Sequence, residues 1–208
     1  MPAAADRYDQ AYFDRWYREE QFGDPDRLAR KVHYAVGAAE YVLDRPIRSV
    51  LDVGCGEGVW RAAVRRLRPD VAYLGVDPSE YAVRRFGRRR NLRRGEITEL
   101  ASMDFSSVEL GPTQTFDLVV CSDVIGYVPD REVTVGLCAI SAILGGVALI
   151  EVFTREDDFE GDVEQYLRRS GRFYTREAKA AGLRRIGPHL YVGDTTWPTL
   201  ATLERPET

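Results

Sequence analysis

The sequence predicts an α/β protein built on a doubly wound, seven-stranded sheet, mostly parallel, closed by an antiparallel C-terminal hairpin strand. Three observations carry this. From Ser49 onward, short apolar runs alternate with amphipathic stretches at helical spacing, the signature of strands joined by crossover helices. The first run ends in a loop with glycine at every second position: Gly54, Gly56 and Gly58. The last two runs are joined by Gly193-Asp194, a pair suited to a tight reversal.

Ahead of the alternating region, Tyr12, Phe13, Trp16 and Tyr17 are spaced to share one helical face, with Tyr8 and Phe22 nearby. Such a face packs into the core, covers a ligand as a lid, or does both. Gly23-Asp24-Pro25-Asp26 reads as a turn and helix start. A helix over 26–43 follows, burying Leu28, Val32, Ala35, Val36, Ala39 and Val42. Strands are expected at 49–53, 72–76, 92–97, 116–121 and 147–153. The helices between them are expected at 58–67, at 79–89 with Ser79 as N-cap, and at 131–144, the last ended by Gly145-Gly146. Helices at 162–169 and 175–181 and strands at 183–192 and 196–203 complete the chain. The whole of 1–208 reads as one domain, with a helical cap over 1–44 and the α/β core over 45–208.

Composition narrows the class. A 44% hydrophobic and 30% charged chain is an ordinary globular one, and no apolar run approaches the roughly 18 residues of a membrane span. The N-terminus is too polar for a signal peptide, so a cytoplasmic location is expected. Three cysteines, Cys55, Cys121 and Cys138, fit no metal or disulfide pattern, and with two histidines no metal site is expected. A net charge of −4 argues against nucleic acid as a partner. Arg84, Arg85, Arg88, Arg89, Arg90, Arg93 and Arg94 run against that balance; they read as a solvated helix face or as a patch for an anionic substrate.

The decisive segment is Val50-Leu51-Asp52-Val53-Gly54-Cys55-Gly56-Glu57-Gly58. Glycines here let the backbone turn sharply beside the carboxyl end of a strand, where doubly wound sheets bind ligands. A dinucleotide fingerprint would need its third glycine at 59, but that residue is Val59. The carboxylates Asp52 and Glu57 also disfavour a pyrophosphate and favour a cationic amino-acid ligand.

This segment resembles the first motif of class I S-adenosylmethionine-dependent methyltransferases, a Rossmann-like family, and the resemblance runs from Tyr8 to Arg205. Val76-Asp77-Pro78-Ser79 fits the place where the family carries an acid for the ribose hydroxyls. Gly95-Glu96-Ile97 fits the adenine-binding acid and its apolar neighbour, although the commoner acid there is Asp. The run from Phe116 to Val128 resembles the fourth motif, with Tyr127 where many relatives have histidine. The resemblance implies S-adenosyl-L-methionine as cofactor and S-adenosyl-L-homocysteine as product. It implies cofactor contacts at Asp52, Gly54, Cys55, Gly56, Gly58, Asp77, Pro78, Glu96, Ile97, Ser122 and Asp123.

The reaction it implies is in-line transfer of a methyl group to an O or N atom of a small molecule. Tyr12, Trp16 and Tyr127 are candidates for the acceptor pocket. Asp123 or His189 are candidates for catalysis, with Glu151, Tyr12 and Tyr127 as further candidate bases. No Asn-Pro-Pro-Tyr-like tetrapeptide follows the fourth strand, which reads Cys121-Ser122-Asp123-Val124, and this argues against adenine methylation. The alternatives are an RNA or protein methyltransferase using the arginine-rich segment, and a non-catalytic S-adenosylmethionine-binding regulatory protein. Either a monomer or a homodimer is compatible with the sequence.

Overall fold

The structure is a computed structural model that describes residues 8–19, 24–108, 110, 114–158, 162–163 and 165–205. Phe22 and Gly23 lie outside them. The N-terminal helix α1 (Gln10–Asp14) runs into a π-helical turn (Arg15–Glu19), and α2 spans Pro25–Leu43. The core then reads β1 (Ser49–Val53), α3 (Trp60–Leu67), β2 (Ala72–Asp77), α4 (Glu80–Arg90), β3 (Leu92–Arg94), β4 (Phe116–Ser122), α5 (Asp130–Ile143), β5 (Leu144–Glu151), α6 (Gly171–Ala180), β6 (Leu183–Gly187) and β7 (Leu190–Gly193).

One seven-stranded sheet has the order β3-β2-β1-β4-β5-β7-β6. Strands β1 to β5 are parallel, and β7 runs antiparallel to both β5 and β6. Alternate residues of the central strands feed two separate cores, as strand geometry requires. Leu51, Val53, Val119 and Cys121 pack with α5 and α6 on one face. Val50, Leu118 and Val120 pack with α2 and α3 on the other. Both faces being covered, β1 and β4 read as continuous apolar runs rather than alternating ones. Strand order reverses between β1 and β4, which opens a crevice at their carboxyl ends.

Several expected boundaries move, each for a local reason. Helix α3 starts at Trp60, not 58, because Gly58 sits at φ 73° in the left-handed region. Strand β3 stops at Arg94, and Ile97–Ser102 is a 3₁₀ turn whose start is tied by the Glu99 side chain accepting from the Glu96 amide at 2.9 Å. Gly145 and Gly146 do not end α5 but lie inside β5. A Cβ at Gly146 would fall under 3.0 Å from the Asp117 carbonyl oxygen on β4.

The described part of 162–169 is not a helix. It is an extended strap: the Leu167 amide donates to the Gly126 carbonyl at 2.9 Å, and Arg169 donates to the carbonyls of Ile125 and Val128. The closing hairpin turns at Pro188-His189, not at Gly193-Asp194, and 196–203 forms two 3₁₀ turns instead of a strand. Proline cannot donate to a ladder, so a strand read through 183–192 breaks where Pro188 stands. No described helix is long and apolar enough to cross a membrane.

Candidate active site in the crevice between β1 and β4

A cavity of about 570 Å³ fills the crevice. Three neighbouring strands each deliver one carboxylate to its wall: Asp52 near the end of β1, Asp77 at the end of β2, and Glu96 just past β3. Asp77 is bound into the architecture. Its Oδ2 accepts from the Gly56 amide at 2.7 Å and its Oδ1 from the Ser79 amide at 2.9 Å. Asp52 accepts from the Tyr73 hydroxyl at 2.5 Å. Glu96 is exposed at the mouth, beside the buried Ile97.

Burial raises the Asp52 carboxyl to about 7, against the Tyr73 hydrogen bond that lowers it and with the Asp77 charge adding to the rise. Burial likewise raises Asp77 to about 6, held back by the Ser79 and Gly56 amides. Two carboxylates this deep, facing a cavity, can accept hydroxyl or ammonium donors.

Gly54, Gly56 and Gly58 all have positive φ, as the loop's sharp turn demands. The space that a Cβ would fill is taken by protein: by Val124 at Gly54, by the Tyr17 hydroxyl at Gly56 and by Leu92 at Gly58. The glycines therefore admit side chains of the surrounding elements to the loop, a role the motif alone does not reveal. Gly54, Cys55 and Gly56 still line the cavity, whereas Gly58 does not. Glu57 also points away from the cavity. It is buried and pairs with Arg18 at 2.9 Å and with Arg90 at 3.8 Å, so it anchors the N-terminal segment.

Across the crevice, Ser122 ends β4 and Asp123 follows it at φ 59°. Burial and the neighbouring Glu151 charge push the Asp123 carboxyl up to about 6, against the opposing charges of Lys31 and Arg27. Burial also raises the Glu151 carboxyl, but the bonds from Lys31 and Ser122 outweigh it and leave Glu151 below the usual range. Tyr12, Trp16 and Tyr127 form the aromatic wall. Lys31, which faces them from α2, was not legible as a site residue, because a lone lysine on an amphipathic helix carries no signal. His189 stands at the exposed hairpin turn, outside the cavity wall. Arg84, Arg85, Arg88 and Arg89 run exposed along α4, also outside it.

A mostly parallel sheet of this strand order, closed by the antiparallel β7, with a glycine loop after β1 and acids at or just past the ends of β1 to β3, defines a class I methyltransferase domain. The chain belongs to the methyltransferase-domain family, whose model matches residues 17–190. It is 29% identical over 108 residues to a ubiquinone biosynthesis O-methyltransferase of Bordetella avium, covering 52% of this chain and 44% of that protein. The chain spans about half the length of the curated relatives it matches. Among solved structures, it resembles the sugar N-methyltransferase KedS8 from Streptoalloteichus, with a TM-score of 0.64 at 17% identity, covering 87% of this chain and 92% of that one. It also resembles magnesium protoporphyrin IX methyltransferase from Synechocystis with bound S-adenosylmethionine, with a TM-score of 0.58 at 17% identity, covering 90% and 92%.

Proposed function

We propose that the chain binds S-adenosyl-L-methionine in the crevice and transfers its methyl group to an O or N atom of a small molecule in the cytoplasm. The observation that carries this is Asp77, a buried acid at the end of β2 that is hydrogen-bonded to the glycine loop and faces the cavity. The donor set fits the cofactor. Asp77 has lone pairs left for ribose hydroxyls, and Glu96 with Ile97 suits an amino-bearing ring. Asp52 and the loop backbone at Gly54, Cys55 and Gly56 suit the amino-acid end, and Pro78 and Ser122 stand beside them.

When bound, that cofactor supplies an electrophilic methyl group on a sulfonium. The protein's own work is alignment, which for well-placed reactants contributes roughly 7–11 kcal/mol. Asp52, Asp77 and Glu96 line the cavity on the β1–β3 side. In this reading their charges grip polar groups and leave the sulfonium charge free to disperse. Tyr12, Trp16 and Tyr127 bound the acceptor side. The N-terminal segment acts as a lid: Tyr17 packs on Gly56, Arg18 pairs with Glu57, and the Ser79 hydroxyl donates to the Tyr8 carbonyl at 2.5 Å. The cap over 1–44 and the core over 45–208 would then work as one unit.

Calorimetry with S-adenosylmethionine, S-adenosylhomocysteine and NAD tests the reading on wild type and Asp77→Ala. Micromolar binding of the first two, weakened in the variant, is expected. Binding of NAD alone, or of none of the three, overturns it.

A further inference from the structure

The far end of the crevice, past β4 and β5, holds charges to which the cofactor contacts proposed above give no role. Glu151 ends β5, and its carboxylate accepts both the Lys31 ammonium from α2 and the Ser122 hydroxyl, the latter at 2.6 Å. Lys31 Nζ is 3.9 Å from Asp123 Oδ2, beyond hydrogen-bond reach, so the lysine is committed to Glu151. Asp123 keeps only a long 3.4 Å contact from the Ser122 hydroxyl at Oδ2. Its Oδ1 is buried and has no hydrogen-bond partner. A buried carboxylate oxygen without a donor costs free energy that a ligand bearing a donor would recover.

The surroundings specify the donor. Tyr12, Trp16 and Tyr127 line the same cavity, Tyr127 within electrostatic reach of Asp123, and aromatic faces attract a cation. Among the described residues of the cavity wall, Asp162 joins Asp123 and acts electrostatically on Tyr12 and Tyr127, while the wall cation Lys31 is paired with Glu151 and Arg27 remains; the wall acids Asp24 and Glu132 pair with Arg30 and Arg131. The local balance is negative, which repels a carboxylate or phosphate and favours a positive group.

We propose that this end of the crevice takes a small-molecule amine, bound as its ammonium by Asp123 against Tyr12, Trp16 and Tyr127, and excludes acceptors that carry a carboxylate or phosphate. The proposal rests on reading the glycine-loop end as the cofactor site. One ammonium proton passes to the Asp123 carboxylate. The freed nitrogen lone pair forms the new N–C bond as the methyl–sulfur bond breaks and its electron pair stays on sulfur. The methylated amine leaves and Asp123 returns its proton to water.

The test uses three probes of one size: benzylamine, benzyl alcohol and benzoate. Each is titrated calorimetrically into the protein, with and without saturating S-adenosylhomocysteine. A charge-assisted bond to Asp123 should make benzylamine bind at least about tenfold more tightly than the other two. Asp123→Asn should reduce that preference to within about twofold. Asparagine tolerates the left-handed backbone at this position, so the variant is expected to fold. Undetectable benzylamine binding, tighter benzoate binding, or a preference that survives Asp123→Asn overturns the proposal. So does loss of S-adenosylhomocysteine binding in Asp123→Asn, which would make Asp123 a cofactor contact. Failure of wild type to bind S-adenosylhomocysteine overturns the cofactor reading instead, and the probe titrations without it still decide the amine preference.

Discussion

The Asp77 carboxylate accepts the Gly56 amide at 2.7 Å, so the acid at the end of β2 holds the glycine loop that follows β1. Loop shape and ligand contact are thus coupled through one side chain. Asp77→Asn keeps the volume but removes the charge and turns one acceptor into a donor. Loss of a charge-assisted bond is worth about 1.5–3 kcal/mol, so S-adenosylhomocysteine affinity should fall about 10- to 100-fold by calorimetry. Unchanged affinity would remove Asp77 from the site.

The three raised acids make the free protein more stable in mild acid. Asp52 near 7, Asp77 near 6 and Asp123 near 6 all lie above their unfolded values, so between pH 4 and 7 the folded state binds more protons. Their contribution is fully present below about pH 4 and is lost as pH rises through 6 to 7. The acids lowered in the fold, such as Asp117 and Glu151, change charge below this window. Thermal melts of the ligand-free protein should therefore show Tm rising by at least about 2–4 °C, or about 1 kcal/mol, from pH 8 to pH 5.5. Asp52→Asn should flatten that slope; a slope of the opposite sign would contradict the burial argument.

Arg18 ties the N-terminal segment to the glycine loop through Glu57, and its side chain is 45% exposed. A solvent-screened pair of this kind contributes little to stability, so Arg18→Ala should move Tm by no more than about 2–4 °C. Release of S-adenosylhomocysteine, followed by stopped-flow fluorescence, should nevertheless quicken several-fold if the segment is a lid. An unchanged release rate would leave the segment as core packing alone.

Asp117 supplies the contrasting case at the opposite end of β4. Arg45 donates to both of its oxygens at 2.8 and 2.7 Å, and the Arg48 amide donates at 2.6 Å. Asp117→Ala strands these donors and should destabilise the fold by about 2–4 kcal/mol in denaturant titrations. Cofactor affinity of the folded fraction should stay within about twofold, because the site lies at the other end of the strand.

Local chemistry made some features legible in the sequence. Ser79 caps α4 by accepting from the Ala82 amide at 3.1 Å, as its place before the amphipathic run implied. The apolar runs located β1, β2, β4 and β5, since strands covered on both faces are mostly apolar, whereas the edge strand β3 is Leu-Arg-Arg with only Leu92 buried. Boundaries failed where a tertiary neighbour decided. The segment expected as a helix over 162–169 has helical composition, yet in its described part Arg169 and Tyr166 spend their polar groups on loop 125–129 and on Phe153. Gly145 and Gly146 look like a helix stop, yet they make room for β4.

The sequence by itself determined the alternating architecture, the glycine loop and the acids at the ends of successive strands, because each is a local pattern of period, turn or residue type. Only the tertiary structure decided what surrounds them. The loop carboxylate Glu57 became an anchor for Arg18, Lys31 came into the site from a distant helix, and Asp123 was left with an unpartnered oxygen. Those outcomes depend on distances between residues far apart in the chain. Burial and charge pairing at such distances are set by packing and carry no local signature.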